Sequence, residues 1–180
     1  MLLNINRMAC LLVLTGVITH AYAHEDENRD DEREYELKLY ALNDSGVSGK
    51  AEIKLVNGNE IRVSIKARGL EAGRPHPQHI HGFNAPLKDS ACPDLSNDIN
   101  GDGIVTINEG AAVFGPIIVP LVPFDLADVN GDLRYRASFT INPDSLLPLE
   151  KRTIVLHGMT VNGQYIPSLP IACGQIRLDD

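Results

Sequence analysis

Two constellations in this chain could do chemistry, and both could hold metal ions. Residues Asp98, Asn100, Asp102, Gly103, Ile104, Thr106 and Glu109 fall at positions 1, 3, 5, 6, 7, 9 and 12 of a twelve-residue segment. That spacing matches a calcium loop of EF-hand type: side-chain oxygens at 1, 3 and 5, a glycine turn at 6, a backbone carbonyl from Ile104 and a bidentate glutamate at 12. The bland alternative is a polar turn with solvated acids. The partial repeat Asp128-Val-Asn130-Gly-Asp132 has Leu133 where a glycine is needed and no acid at position 12, so it reads as a turn.

The second constellation is His79-Ile80-His81, with His157 later in the chain. In an extended strand the two histidines share one face and Ile80 takes the other, as two adjacent ligands of one ion require. His157 could supply a third nitrogen, and Met159 a thioether. Three imidazoles with a possible thioether suit copper better than calcium or magnesium. The alternative is that the rings are structural and bond loop carbonyls. His76, between Pro75 and Pro77, is a weaker candidate, and His24 could chelate copper adventitiously if it becomes the N-terminal residue.

These residues need a rigid frame, and the rest of the chain predicts a β one. Residues 1–23 read as a signal peptide: Arg7, an apolar run Met8 to Ile18, then Ala21-Tyr22-Ala23 as a cleavage site. The remaining 157 residues suit one domain. Its localisation is expected to be exported, periplasmic or secreted. No later apolar run could span a bilayer, so no membrane insertion is expected. Of 16 basic residues the mature chain loses Arg7, leaving 15 against 24 acidic, or −9. That balance argues against nucleic acid and anionic membranes as partners and leaves metal ions, with any protein partner unspecified.

Residues 24–34 form an acidic leader with little to bury, expected to be disordered. Residues 35–180 then carry period-two alternation, beginning with Tyr35, Leu37 and Leu39. Ala51, Ile53 and Leu55 turn through Asn57-Gly58-Asn59 into Ile61, Val63 and Ile65, which predicts a hairpin. Further strands are expected over 79–83, 117–122, 134–141, 153–159 and 171–178, and no stretch holds a helical period. The fold class is therefore mostly β: a Greek-key sandwich or flattened barrel of about seven or eight antiparallel strands, interrupted by an insertion over 86–115 that carries the calcium loop, residues 98–109. No helix flanks that loop in the pattern, so a structural calcium is expected rather than an opening switch.

Cys92 and Cys173 are the cysteines left after the signal, and an oxidising compartment would join them, two separate buried thiols being the alternative. No Gly-x-Ser-x-Gly, zinc-protease helix or phosphate-cradling glycine loop occurs, so hydrolase and nucleotide chemistry lack support.

The stretch from 34 to 178 resembles the copper-zinc superoxide dismutase superfamily. The likeness rests on Gly69-Leu70, His79-Ile-His81-Gly82, Leu156-His157-Gly158 and Ile171-Ala172-Cys173-Gly174-Gln175-Ile176. With Gly115-Pro116-Ile-Ile-Val-Pro-Leu121, the His-Ile-His-Gly element is also similar to CHRD (chordin-type) domains. The resemblance implies a Greek-key barrel, a Cys92–Cys173 disulfide, and His79, His81 and His157 as three copper ligands. It departs at the fourth, bridging histidine and the zinc ligands, since no histidine lies between 93 and 156, and Pro170 stands where the family places its guiding arginine. The expectation is an exported metal-binding module with structural calcium and copper, non-catalytic in copper holding or recognition. The alternatives are a copper-only superoxide dismutase, and a CHRD-like adhesion scaffold in which the imidazoles are structural.

Overall fold

The structure, a computed structural model, describes residues 31–84 and 88–179 of the 180. The expected signal peptide and most of the acidic leader, His24 included, lie outside the described residues, as do 85–87 of the insertion. Chain order is β1 (Glu32–Ala41), β2 (Ser48–Val56), β3 (Glu60–Arg68), β4 (Gln78–His81), a 3-10 turn (Leu95–Asn97) and α1 (Ile107–Phe114). Then follow β5 (Ile117–Pro120), β6 (Leu133–Thr140), α2 (Pro143–Leu146), a second 3-10 turn (Leu149–Lys151), β7 (Thr153–Val161), β8 (Gln164–Gln175) and β9 (Arg177–Leu178).

All pairings are antiparallel, and the spatial order is β5-β4-β7-β8-β1-β2-β3-β6, with β9 added against β1. Leaving β3, the chain crosses to β4 beside β7, and leaving β6 it returns to β7: the crossovers of a Greek key. The sheet curls so that its end strands face each other. Ile118 to Pro120 of β5 and Phe139 and Thr140 of β6 border one depression. One continuous core fills the interior, built from alternate residues such as Leu37, Ile53, Ile65, Ile80, Tyr135 and Leu156. This curled sheet is consistent with the sandwich or flattened barrel expected from the alternation.

Turn chemistry fixes the hairpins. Asn57 and Gly58 take positive φ, 49° and 71°, between β2 and β3, as the right-handed twist of paired strands demands. Asn162 and Gly163, at 51° and 80°, do the same between β7 and β8. The second hairpin corrects an expected boundary: β8 begins at Gln164 rather than 171, and Val161-Asn162-Gly163-Gln164 is the signal that marks it. The leader boundary also moves, because Glu32 and Glu34 belong to β1. Lys54 on β2 bonds both carboxylates, at 2.8 and 2.6 Å, and cross-strand pairing orders a segment whose composition alone could not.

The helices depart from the expected pattern. α1 spans two turns, and its N-terminus is a capping box in which Thr106 and Glu109 satisfy each other's backbone donors. Two turns are too short for the 3.6-residue period to show in the sequence. Cys92 and Cys173 are joined, with Cα atoms 5.6 Å apart, and the bond ties the insertion to β8 beside Phe114 and Val155.

Candidate metal centre

β4 places His79 and His81 on the outer face of the barrel wall, while Ile80 between them is fully buried in the core. Neighbouring β7 is irregular against β8 on both sides of His157. There the His157 amide donates to the Pro77 carbonyl at 2.8 Å, and the ring joins the other two. Ring centroids stand 5.5 Å apart for His79 and His81, 5.1 Å for His79 and His157, and 5.6 Å for His81 and His157. One nitrogen from each ring lies within 4.8 Å of the other two. Among the described residues this is the one group of three or more His, Cys, Asp or Glu side chains to converge so, and no fourth joins it.

Hydrogen bonding fixes which nitrogens face inward. His81 Nδ1 lies 2.9 Å from the Gly115 carbonyl and His157 Nδ1 lies 3.0 Å from the Ser168 carbonyl. A carbonyl only accepts, so each Nδ1 carries the proton and each Nε2 keeps its lone pair. His81 Nε2, His157 Nε2 and His79 Nδ1 are buried without any hydrogen-bond partner. Such unpartnered buried polar atoms are costly and call for an explanation. Burial also keeps the rings neutral: it lowers His79 to about 4 and His157 to about 3, with neighbouring imidazoles adding to both, and it lowers His81.

Around the rings is an open cavity of about 350 Å³ whose remaining wall is Pro77, Ile107, Ile117, Phe124, Pro167 and Ser168. None of these described residues carries a charge. Phe114 packs edge-on against His81 at 4.5 Å and Phe124 against His79 at 5.5 Å. Three neutral nitrogen donors in an apolar surround match a late first-row ion such as copper or zinc; hard oxygen-seeking cations are poorly served. The carbonyls behind His81 and His157 supply the outer shell that fixes ring orientation.

The other candidates are elsewhere. His76 is buried with both nitrogens near carbonyls, Nδ1 at 3.2 Å from His157 O and Nε2 at 3.1 Å from Glu71 O, so it props the His157 backbone instead of facing the cavity. Met159 packs against the main core.

The predicted calcium loop lies next to this centre in the fold. Asp98 accepts from the Gly101 and Gly103 amides at 2.9 and 2.7 Å, Asn100 from Asp102 at 2.9 Å, and Asp102 from Ile104 at 2.9 Å. Glu109 accepts from Ile99 N at 2.9 Å and from Thr106 N and Oγ1 at 2.8 and 2.7 Å, and those bonds hold its carboxyl below the ordinary range. α1 starts at loop position 10, so Glu109 sits in its first turn. Contrary to expectation, a helix does leave the loop, and it touches the histidines. Ile107 lines their cavity, Phe114 packs on His81, and Gly115, which ends α1, gives His81 its carbonyl. Gly115 has φ 83°, and a Cβ there would stand 2.6 Å from Gly82 O, so only glycine brings that carbonyl into place. The Asp128 segment is the turn expected, Asp128 accepting from the Asn130 and Asp132 amides at 2.8 and 3.0 Å.

No protein-family model and no curated protein matches the chain. Solved structures do: a glutamate-to-glutamine mutant of Candida albicans superoxide dismutase 5 at 18% identity and TM-score 0.46, covering 83% of this chain and 93% of that one. The Cu(II) form of the same protein gives 18%, 0.44, 83% and 94%. A proline-to-histidine mutant of a superoxide dismutase-like protein from Bacillus subtilis gives 17%, 0.43, 78% and 95%.

Proposed function

We propose that this is an exported metal-binding β domain that holds copper through His79 Nδ1, His81 Nε2 and His157 Nε2. A structural calcium occupies the loop from Asp98 to Glu109, and the domain serves copper holding or recognition rather than turnover. The observation that carries the copper assignment is the convergence of three buried, neutral and unpartnered imidazole nitrogens. Bound copper would supply one-electron chemistry; the chain's part is to orient three lone pairs and to surround them with the apolar walls of Phe114, Phe124 and Ile117. The calcium assignment is supported by the seven matched loop positions and by the start of α1 at position 10, with Ile104 and Thr106 as the ligands of the middle of the loop.

The competing reading is a copper-only superoxide dismutase, which the open cavity on the fourth side of the histidines favours. The lack of a cation among the described residues of that cavity weighs against it, since steering of an anion uses local positive charge.

The deciding experiment is elemental analysis of copper-supplemented, dialysed protein, with His79→Ala/His81→Ala as the comparison. About one copper per chain that disappears in the double variant is expected. Copper retained equally by both would sink the site. Dismutase turnover by the loaded wild-type protein would replace the holding role with the enzymatic one.

A further inference from the structure

Strand register assembles a feature on the opposite wall of the barrel that the sequence keeps scattered. Lys38 on β1 pairs with Lys50 on β2, Lys50 with Lys66 on β3, and Lys66 with Arg134 on β6. Four strands thus each place one cation on a single exposed rung, about 4.8 Å apart from strand to strand. Like charges directly opposite destabilise a sheet. The adjoining rungs carry carboxylates instead: Glu36 stands opposite Glu52, and on the rung of Glu34, Lys54 and Arg62, Lys54 bonds Glu34 at 2.6 Å.

Within the row Lys50 is ion-paired, with Glu52 at 2.8 Å, while Lys66 lies near that same carboxylate and Arg134 near Asp128 without contact. Lys38, Lys66 and Arg134 make no ion pair among the described residues. The rung borders a groove of about 570 Å³ that runs across the strands, extended by Arg68 and by Tyr40, which is 67% exposed, with Asp132 at its far end. Concentrating five cations there, on a chain of net charge −8, leaves a face matched to an external anion.

We propose that this groove binds a single chain of an acidic polysaccharide, carboxylated or sulfated, laid across β1, β2, β3 and β6. Lys38, Lys66 and Arg134 take its anionic groups, and Tyr40 and Ser48 meet its sugar rings and hydroxyls.

The surroundings set the width of the ligand. On β1 and β2 the next exposed rung is Glu36 and Glu52, one residue pair away, or about 7 Å along the strand. A flat anionic bilayer or a nucleic-acid duplex covering the face would press against those carboxylates, whereas one extended polymer can lie along the row beside them. Single-stranded nucleic acid binds on a series of aromatic platforms, and Tyr40 is the one aromatic among the described residues of the groove. An acidic peptide gains most by adding along a sheet edge, whereas this row lies on the sheet's face at right angles to its strands, from β1 to the terminal strand β6.

The test is binding of purified full-length protein to immobilised hyaluronate at about 0.05 and 0.15 M salt, with neutral dextran, oligo-dT, polyglutamate and phosphatidylglycerol vesicles in parallel. Wild type should bind hyaluronate above all of these. Lys66→Glu/Arg134→Glu should weaken it roughly tenfold or more and flatten its salt dependence. Arg33→Glu/Arg177→Glu makes the same charge change at exposed cations off the row and should leave binding within about twofold. Folding is checked by melting, which should not fall in the first variant, because a carboxylate at position 66 would relieve repulsion between its neighbours. No hyaluronate binding at the higher salt, equal loss in both variants, or stronger binding to any parallel ligand would overturn the proposal.

Discussion

At the scale of residues, the metal-free centre makes stability depend on pH in a defined window. An unfolded histidine takes up a proton near 6.5, whereas burial delays His79 to about 4 and His157 to about 3. Between those values the unfolded chain binds more protons than the folded one, so stability is complete above about 6.5 and is lost as pH falls toward 4. Urea unfolding of metal-free protein should therefore show a declining midpoint from about pH 6.5 to 5, above the range where most carboxylates titrate. His79→Gln/His81→Gln/His157→Gln should remove most of that decline; an unchanged slope would contradict neutral burial of the rings. The shared face of His79 and His81 was legible in the sequence because a strand has period two. That His157 joins them, and that His76 does not, depends on the irregular pairing of β7 with β8 and on the carbonyls of His157 and Glu71 that hold the His76 ring, which the period-two pattern does not record.

Among the elements, the start of the insertion is held by two different means. The Cys92–Cys173 bond closes 81 residues, which in the chain-entropy account is worth about 4 kcal/mol. Cys92→Ser/Cys173→Ser should lower the melting temperature by roughly 8–16 °C, read by calorimetry. Arg152, 1% exposed, ties the chain just before the insertion to α2 by donating to the carbonyls of Leu146, Phe83 and Ser145 at 2.8, 2.7 and 3.1 Å. Arg152→Met should cost about 3 kcal/mol in a urea titration, because three carbonyls lose their donor inside the fold. The cysteine pair and most strands could be read from composition and alternation. α1 and the true start of β8 could not, the first because two turns are shorter than a readable period, the second because Pro167 and Pro170 interrupt the strand's alternation. The Asn162-Gly163 turn was the overlooked clue.

For the whole molecule, the Greek-key order and the single core follow from alternation and turn chemistry, while the cation row follows only from register. Register is set by which faces bury, so every inward residue from Leu37 to Tyr135 helps to align Lys38, Lys50, Lys66 and Arg134. α1 joins the two proposed metal sites, with Glu109 in its first turn and Phe114 and Gly115 against His81. Affinity titrations should then find copper bound several-fold more tightly in calcium than in a calcium chelator, with Asp98→Ala/Glu109→Ala abolishing the difference. The two ions become partners in one thermodynamic cycle: whatever factor calcium adds to the affinity for copper, copper must return to calcium. A domain of this design would report scarcity of either ion as a loosened grip on the other.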